Sequence, residues 1–199
     1  MTTPHFIDHL ETSVNWDKVF GVVDSVYSDP GFSSKGDNFA RSTAIEKAVD
    51  KFSNLVRVDQ TGYDFIYDED GTFIRIEMKM GQDLFYKGGH SPKLGGKTSI
   101  HDTNPFKVKS FLSETKTVED FKEIKTFDYM MVIDLTARRV VLVEDEMARS
   151  LYRKGGDGAM MELKLGQYYQ CDIGEVNAIL PPASLSEGIN QAIESFLDF

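Results

Sequence analysis

Thr61-Gly-Tyr-Asp-Phe-Ile-Tyr-Asp-Glu-Asp-Gly-Thr-Phe-Ile-Arg-Ile-Glu-Met-Lys-Met80 reads as two β-rich segments hinged on Asp70-Gly71, a dipeptide that suits the tight turn of a two-residue hairpin. With Asp70 and Gly71 as the turn, residues facing each other across the hairpin have numbers that add to 141, which sets Asp64 opposite Glu77. Side chains alternate between faces along a strand, so Ile74, Ile76, Met78 and Met80 take one face while Phe73, Arg75, Glu77 and Lys79 take the other. Asp64, Glu77 and Lys79 are therefore expected on a common face. Opposed carboxylates lie about 4.5–5.5 Å apart at Cβ and repel; a hard divalent cation between them removes that cost.

Mg²⁺ prefers oxygen ligands and is often held by one or two carboxylates while water and substrate phosphate complete its shell. Asp64 and Glu77 supply such a pair. An ammonium at Lys79 would stand beside the ion, where it can orient an attacking water and neutralise charge developing on a phosphate. Metal, carboxylates and lysine together suit phosphodiester hydrolysis.

Working outward, residues 15 to 28 have helical spacing in Trp16, Val19, Phe20, Val23 and Val26, with Asn15 at the start. A second helix over about 37 to 54, capped by Asp37, places Ile45, Ala48, Val49 and Phe52 on one face and Glu46 at its edge. After the hairpin, Gly81 to Asn104 is rich in glycine, lysine and histidine and reads as a loop. A short helix is expected over about 117 to 125. Phe127–Leu135 and Arg139–Val143 read as strands that extend the sheet, Glu144–Arg153 as a short helix, and Ala159–Leu165 as a further strand after a glycine-rich turn. Ser184 and Glu187 form a capping-box pattern before a last helix over about 185 to 197.

With 199 residues and 41% hydrophobic content, the chain can bury one substantial core and is read as a single domain, 1–199. Cys171 stands alone, which excludes an internal disulfide framework and a cysteine-based zinc site. The amino terminus shows no basic segment followed by an apolar run, and no stretch approaches the roughly 20 apolar residues that span a bilayer. A cytoplasmic protein without a membrane partner is the expectation. The formal charge of −10 opposes indiscriminate polyanion binding, but Lys87, Lys93, Lys97, Lys107 and Lys109 cluster against Asp102 alone. That cluster, with His90 and His101, suits contact with nucleic-acid phosphates.

Asp64, twelve intervening residues, and Glu77-Met78-Lys79 resemble the signature of the PD-(D/E)XK nuclease superfamily, which includes many type II restriction endonucleases. Tyr63 stands where the family name has proline. The resemblance covers about 37–143 by order of elements. It implies an α/β fold with a central mixed β-sheet flanked by α-helices, the restriction endonuclease-like core. It also implies Mg²⁺ held by Asp64 and Glu77 with the Met78 carbonyl as a third ligand, Mn²⁺ able to substitute, and Lys79 at the attacking water. Glu46, on the preceding helix, is the candidate for the additional acidic residue that many members carry. Double-stranded DNA as substrate and a homodimer matched to a palindromic site follow from the same resemblance.

Other readings compete. A junction-resolving or repair nuclease, or an RNA-cutting relative, would share the metal site; a non-catalytic nucleic-acid-binding module would keep only the fold. A charged, solvent-facing strand pair is the plain structural reading of Asp64 and Glu77. Gly96-Lys97-Thr98 lacks the first glycine and the leading strand of a phosphate-binding P-loop. Asp68, Glu69 and Asp70 suit the geometry of the turn, His5 and His9 are read as an ordinary surface pair, and Gln82 could support the site from the strand end.

Overall fold

The computed structural model describes residues 5–29, 38–60, 62–81, 106–111, 125–155, 158–163 and 166–176. In chain order the elements are α1 (His5–Thr12), α2 (Trp16–Ser28), α3 (Asn38–Lys51), β1 (Val56–Gln60), β2 (Tyr63–Glu69), β3 (Thr72–Gly81), β4 (Phe106–Phe111), β5 (Tyr129–Asp134), β6 (Arg139–Glu144), α4 (Asp145–Leu151), β7 (Arg153–Gly155), β8 (Gly158–Leu163) and β9 (Tyr169–Gln170).

The hairpin takes the register the sequence sets: Phe65 faces Ile76, Ile66 faces Arg75, Tyr67 faces Ile74, Asp68 faces Phe73 and Glu69 faces Thr72. Asp70 and Gly71 have φ angles of 53° and 85°, and Asp68 Oδ1 accepts the Gly71 N–H at 2.7 Å. Two positive φ values in succession give the turn a twist that matches the flanking strands. Asp68 thus serves the turn.

Six strands form the main sheet in the order β1-β2-β3-β5-β6-β9. Neighbours run antiparallel except β3 and β5, which are parallel. The sheet is mixed, with helices against it, so the α/β architecture is as expected. A parallel pair needs a long crossover, and the chain between β3 and β5 includes β4, which joins β8 and β7 in a separate three-stranded sheet.

Alternation along the strands builds two cores. Phe65, Ile74, Ile76, Met78, Met131, Ile133 and Leu142 face α1, α2 and α3 through Phe6, Leu10, Val19, Phe20, Ile45 and Val49. Met130, Val132, Val141 and Val143 face Ala148 of α4, Tyr152 and Leu163 of β8. β5 and β6 are covered on both faces, which is why they read as nearly unbroken apolar runs.

α2 begins where Asn15 predicts: its side chain accepts the Lys18 N–H at 3.1 Å. α1 was not expected, and it corrects the reading of His5 and His9. Phe6 and Leu10 draw α1 into the core, and His9 goes with them, buried, stacked on Tyr67 and accepting the Asn54 N–H at Nε2, 2.9 Å. Burial lowers its pKa despite nearby Asp8. His5 is exposed, so the two do not form a surface pair. Asp37, the final helix over 185–197 and all but the last residue of the expected helix over 117–125 lie outside the described residues. Among the described residues no helix is long and apolar enough to cross a membrane.

Two local features carry measurable consequences. Gly62 has a φ of +103°, and a Cβ there would come 2.7 Å from Thr126 Cβ. Gly62→Ala therefore combines a strained backbone with a collision against a neighbouring segment, and chemical denaturation should show a loss of about 1–3 kcal/mol. Unchanged stability would contradict this packing. Arg75 and Asp128 tie β3 to the entry of β5: Asp128 accepts the Arg75 main-chain N–H at 2.9 Å and a guanidinium fork at 3.0 and 3.1 Å, and Lys125 adds an ion pair at 2.9 Å.

Burial alone would raise the Asp128 pKa, but the Arg75 hydrogen bonds and Lys125 outweigh it and hold this carboxyl well below the usual range. A lowered folded-state pKa means stability present above the unfolded value near ~4 and lost as pH falls below it. Asp128→Asn should cost about 2 kcal/mol at neutral pH, and the gap to wild type should narrow as urea unfolding is repeated below pH ~4. A gap independent of pH would refute the charge-based account.

Candidate metal and active site

β2 and β3 pair as far as Phe65 and Ile76. One step further, the Met78 N–H is next in line to bond across the hairpin, and Asp64 Oδ2 accepts it at 2.7 Å. The carboxylate thus lies at the strand edge, near the plane of the sheet, as well as beside Glu77. Two local causes open this notch. β1 and β2 lose regular register between Arg57 and Gln60, and Gly62 turns the chain with its positive φ just before Tyr63. Tyr63 packs toward the second core, whereas Phe65, of the same strand parity, lies in the first.

The main-chain N–H and C=O of a strand residue project to the same side, so the Met78 carbonyl lies along the edge that Asp64 occupies. Glu77 and Lys79 project from the opposite face to Met78 and form an ion pair through Oε1 and Nζ. Both are largely shielded, with 17% and 26% of their side-chain surface exposed. Glu46, from α3, accepts the Ser42 hydroxyl at Oε1, 3.1 Å, and both Nε and Nη2 of Arg57 at Oε2, 3.0 and 2.9 Å.

Burial, then repulsion from Glu77 and more weakly Glu46, pushes the Asp64 pKa up to about 6, against the opposing pull of the Met78 N–H and Lys79. The fold therefore holds Asp64 where its negative charge is costly without a cation. Among the described residues no three His, Cys, Asp or Glu side chains gather closely enough to hold a metal by themselves. Asp64, Glu77 and the Met78 carbonyl would be the donors for any ion held here. Oxygen donors of that number suit Mg²⁺ completed by water and phosphate, and do not suit a soft metal.

The structure sets Asp64 on the Met78 N–H with the Glu77–Lys79 pair beside it, while Glu46 acts on Asp64 through its charge without gathering into the same cluster. Lys87, His90, Lys93, Lys97 and His101 lie outside the described residues, as does Gln82. The backbones of Lys107 and Lys109 are placed in β4, opposite Glu162 and Met160 of β8. Arg57 escaped the sequence reading because β1 was not recognised. The alternation Val56-Arg57-Val58 before the hairpin is the signal that marks it.

No family model matches the chain, and no curated protein matches it. A solved structure that does match is that of a bacterial homing endonuclease, 13% identical, covering 81% of this chain and 98% of that chain with a TM-score of 0.33. A superposition at that score does not establish a shared fold.

Proposed function

We propose that this protein is a Mg²⁺-dependent endodeoxyribonuclease that hydrolyses phosphodiester bonds of double-stranded DNA, in the manner of a type II restriction enzyme. The observation that carries this reading is the Asp64 carboxylate seated on the Met78 N–H beside the Glu77–Lys79 ion pair. A bound divalent ion supplies Lewis-acid polarisation of the phosphate and a more acidic water. Asp64 and Glu77 would hold it, with the Met78 carbonyl alongside. Lys79 orients the attacking water and offsets negative charge on the phosphate as the new bond forms. Asp64, gripped by a main-chain N–H, is fixed in advance, so little reorganisation is needed on reaction.

The basic residues Lys87, His90, Lys93, Lys97, His101, Lys107 and Lys109 supply phosphate contacts in a chain that is otherwise strongly acidic. Two copies acting on a palindromic site would cut both strands, so a homodimer belongs to this proposal. The protein works in the cytoplasm, where Mg²⁺ is available.

Purified protein incubated with unmethylated plasmid and phage DNA, with Mg²⁺ or with chelator, tests it. Discrete fragments formed only with Mg²⁺, and also with Mn²⁺, are the expected result. Preference for branched DNA or for RNA would replace restriction with structure-specific or RNA cleavage. No cutting of any nucleic acid under several salts would overturn the enzymatic reading.

A further inference from the structure

Arg57 stands in β1 with Phe65 as its ladder partner, one position along β2 from Asp64. Its guanidinium delivers two hydrogen bonds to a single oxygen, Glu46 Oε2, while Ser42 from one turn earlier on α3 holds Oε1. The Arg57 main-chain N–H donates to Asp50 Oδ1 at 2.8 Å, one turn later on the same helix. β1 is thereby pinned to α3 at two points, Glu46 and Asp50. The pair is well shielded, with 24% of the Arg57 and 15% of the Glu46 side chain exposed, so its charges act strongly over short range.

We propose that Arg57 is a positioning residue of the nuclease site: it fixes Glu46 near Asp64 and partly cancels its charge, so the carboxylate cluster holds a divalent ion without over-binding it. This rests on the reading of the site given above. Without the guanidinium, Glu46 keeps only the Ser42 hydroxyl at Oε1, is held more loosely, and carries an uncompensated charge toward Asp64 and Glu77. Tighter binding of the ion in the ground state does not lower the barrier, and a mobile carboxylate loses the geometry that turnover needs. Arg57 thus trades metal affinity for rate.

The test uses the full chain as Arg57→Met, which keeps side-chain length without charge, as Glu46→Gln, and as the double variant. Mn²⁺ affinity is measured calorimetrically without DNA, and kcat and KM are measured on duplex DNA. Arg57→Met is expected to tighten Mn²⁺ binding roughly threefold to tenfold and to lower kcat by roughly tenfold to a hundredfold. In the Glu46→Gln background the same change should alter neither quantity, because neighbours that act through each other are not additive.

Unchanged or weaker Mn²⁺ binding in Arg57→Met overturns the assignment. So does an equal loss of kcat in both backgrounds, which marks a structural role, or a raised KM in both, which marks direct phosphate contact. If Arg57→Met does not fold, Arg57→Lys keeps the charge but not the fork. It should leave Mn²⁺ affinity near wild type and lower kcat about tenfold; a wild-type kcat there overturns the proposal. A wild type that binds Mn²⁺ but cuts no nucleic acid would end the nuclease reading alone, since the Mn²⁺ measurements still decide the place of Arg57.

Discussion

Lys79→Ala is expected to fold as the wild type does and to lose about a thousandfold in the rate of Mg²⁺-dependent DNA cleavage. The ion pair of this side chain with Glu77 is largely shielded, so losing the ammonium should cost about 1–3 kcal/mol, short of unfolding the chain. Catalysis weighs it differently. A fixed charge aimed at a developing anion commonly accounts for about 10²–10³ in rate, and the ammonium also orders the attacking water in the proposed mechanism. Removing it takes a cation away from Glu77, so metal affinity should hold or rise while turnover falls. Single-turnover plasmid cleavage beside thermal melts separates these quantities. A rate loss smaller than about tenfold would place Lys79 outside the reaction.

Asp64→Asn should move activity and stability in opposite directions. Burial and the neighbouring Glu77 and Glu46 push the Asp64 pKa up to about 6, above its unfolded value near ~3.9. A raised folded-state pKa favours folding below the unfolded value, and that contribution is lost as pH rises through about 6. At about pH 7.5 the metal-free wild type therefore carries an unfavourable charge, which asparagine removes while still accepting the Met78 N–H. Metal-free Asp64→Asn should melt higher than wild type at that pH, and the difference should shrink as pH falls toward ~4. Added Mg²⁺ should raise the wild-type melting temperature and leave the variant's unchanged, and cleavage by the variant should fall by about 10³ or more. A variant no more stable than wild type without metal would mean that Asp64 is not held at an electrostatic cost.

The central hairpin was legible because its information is local. Asp70-Gly71 specifies one kind of turn, and an alternating apolar pattern cannot slip by one residue without turning Ile74, Ile76 and Met78 out of the core. β5, β6 and α2 were legible for similar reasons, through unbroken apolar runs and an Asn15 cap. α1 was not, because its eight residues are too few to display a period, and its place is fixed by contacts distant in sequence. His9 shows the consequence: its burial follows from Asn54 and Tyr67, 45 and 58 positions away.

The candidate site divides in the same way. Glu77 and Lys79 share a face by strand alternation, and the hairpin register leads toward Asp64, although the ladder itself ends at Phe65 and Ile76. The seat of Asp64 on the Met78 N–H does not follow from that pattern, because it depends on how β1, Gly62 and Thr126 bend the start of β2. Arg57 belongs to that second class. Its role emerges only when α3 packs on β1, an encounter between two elements with no shared periodicity.

The most direct measurement is the rate of duplex DNA cleavage as Mg²⁺ is titrated into wild type, Asp64→Asn and Glu77→Gln side by side. A saturable Mg²⁺ dependence in the wild type, absent from both variants although they remain folded, is the result predicted here. Equal cleavage by all three, or cleavage that persists in chelator, would contradict a metal site built on these two carboxylates.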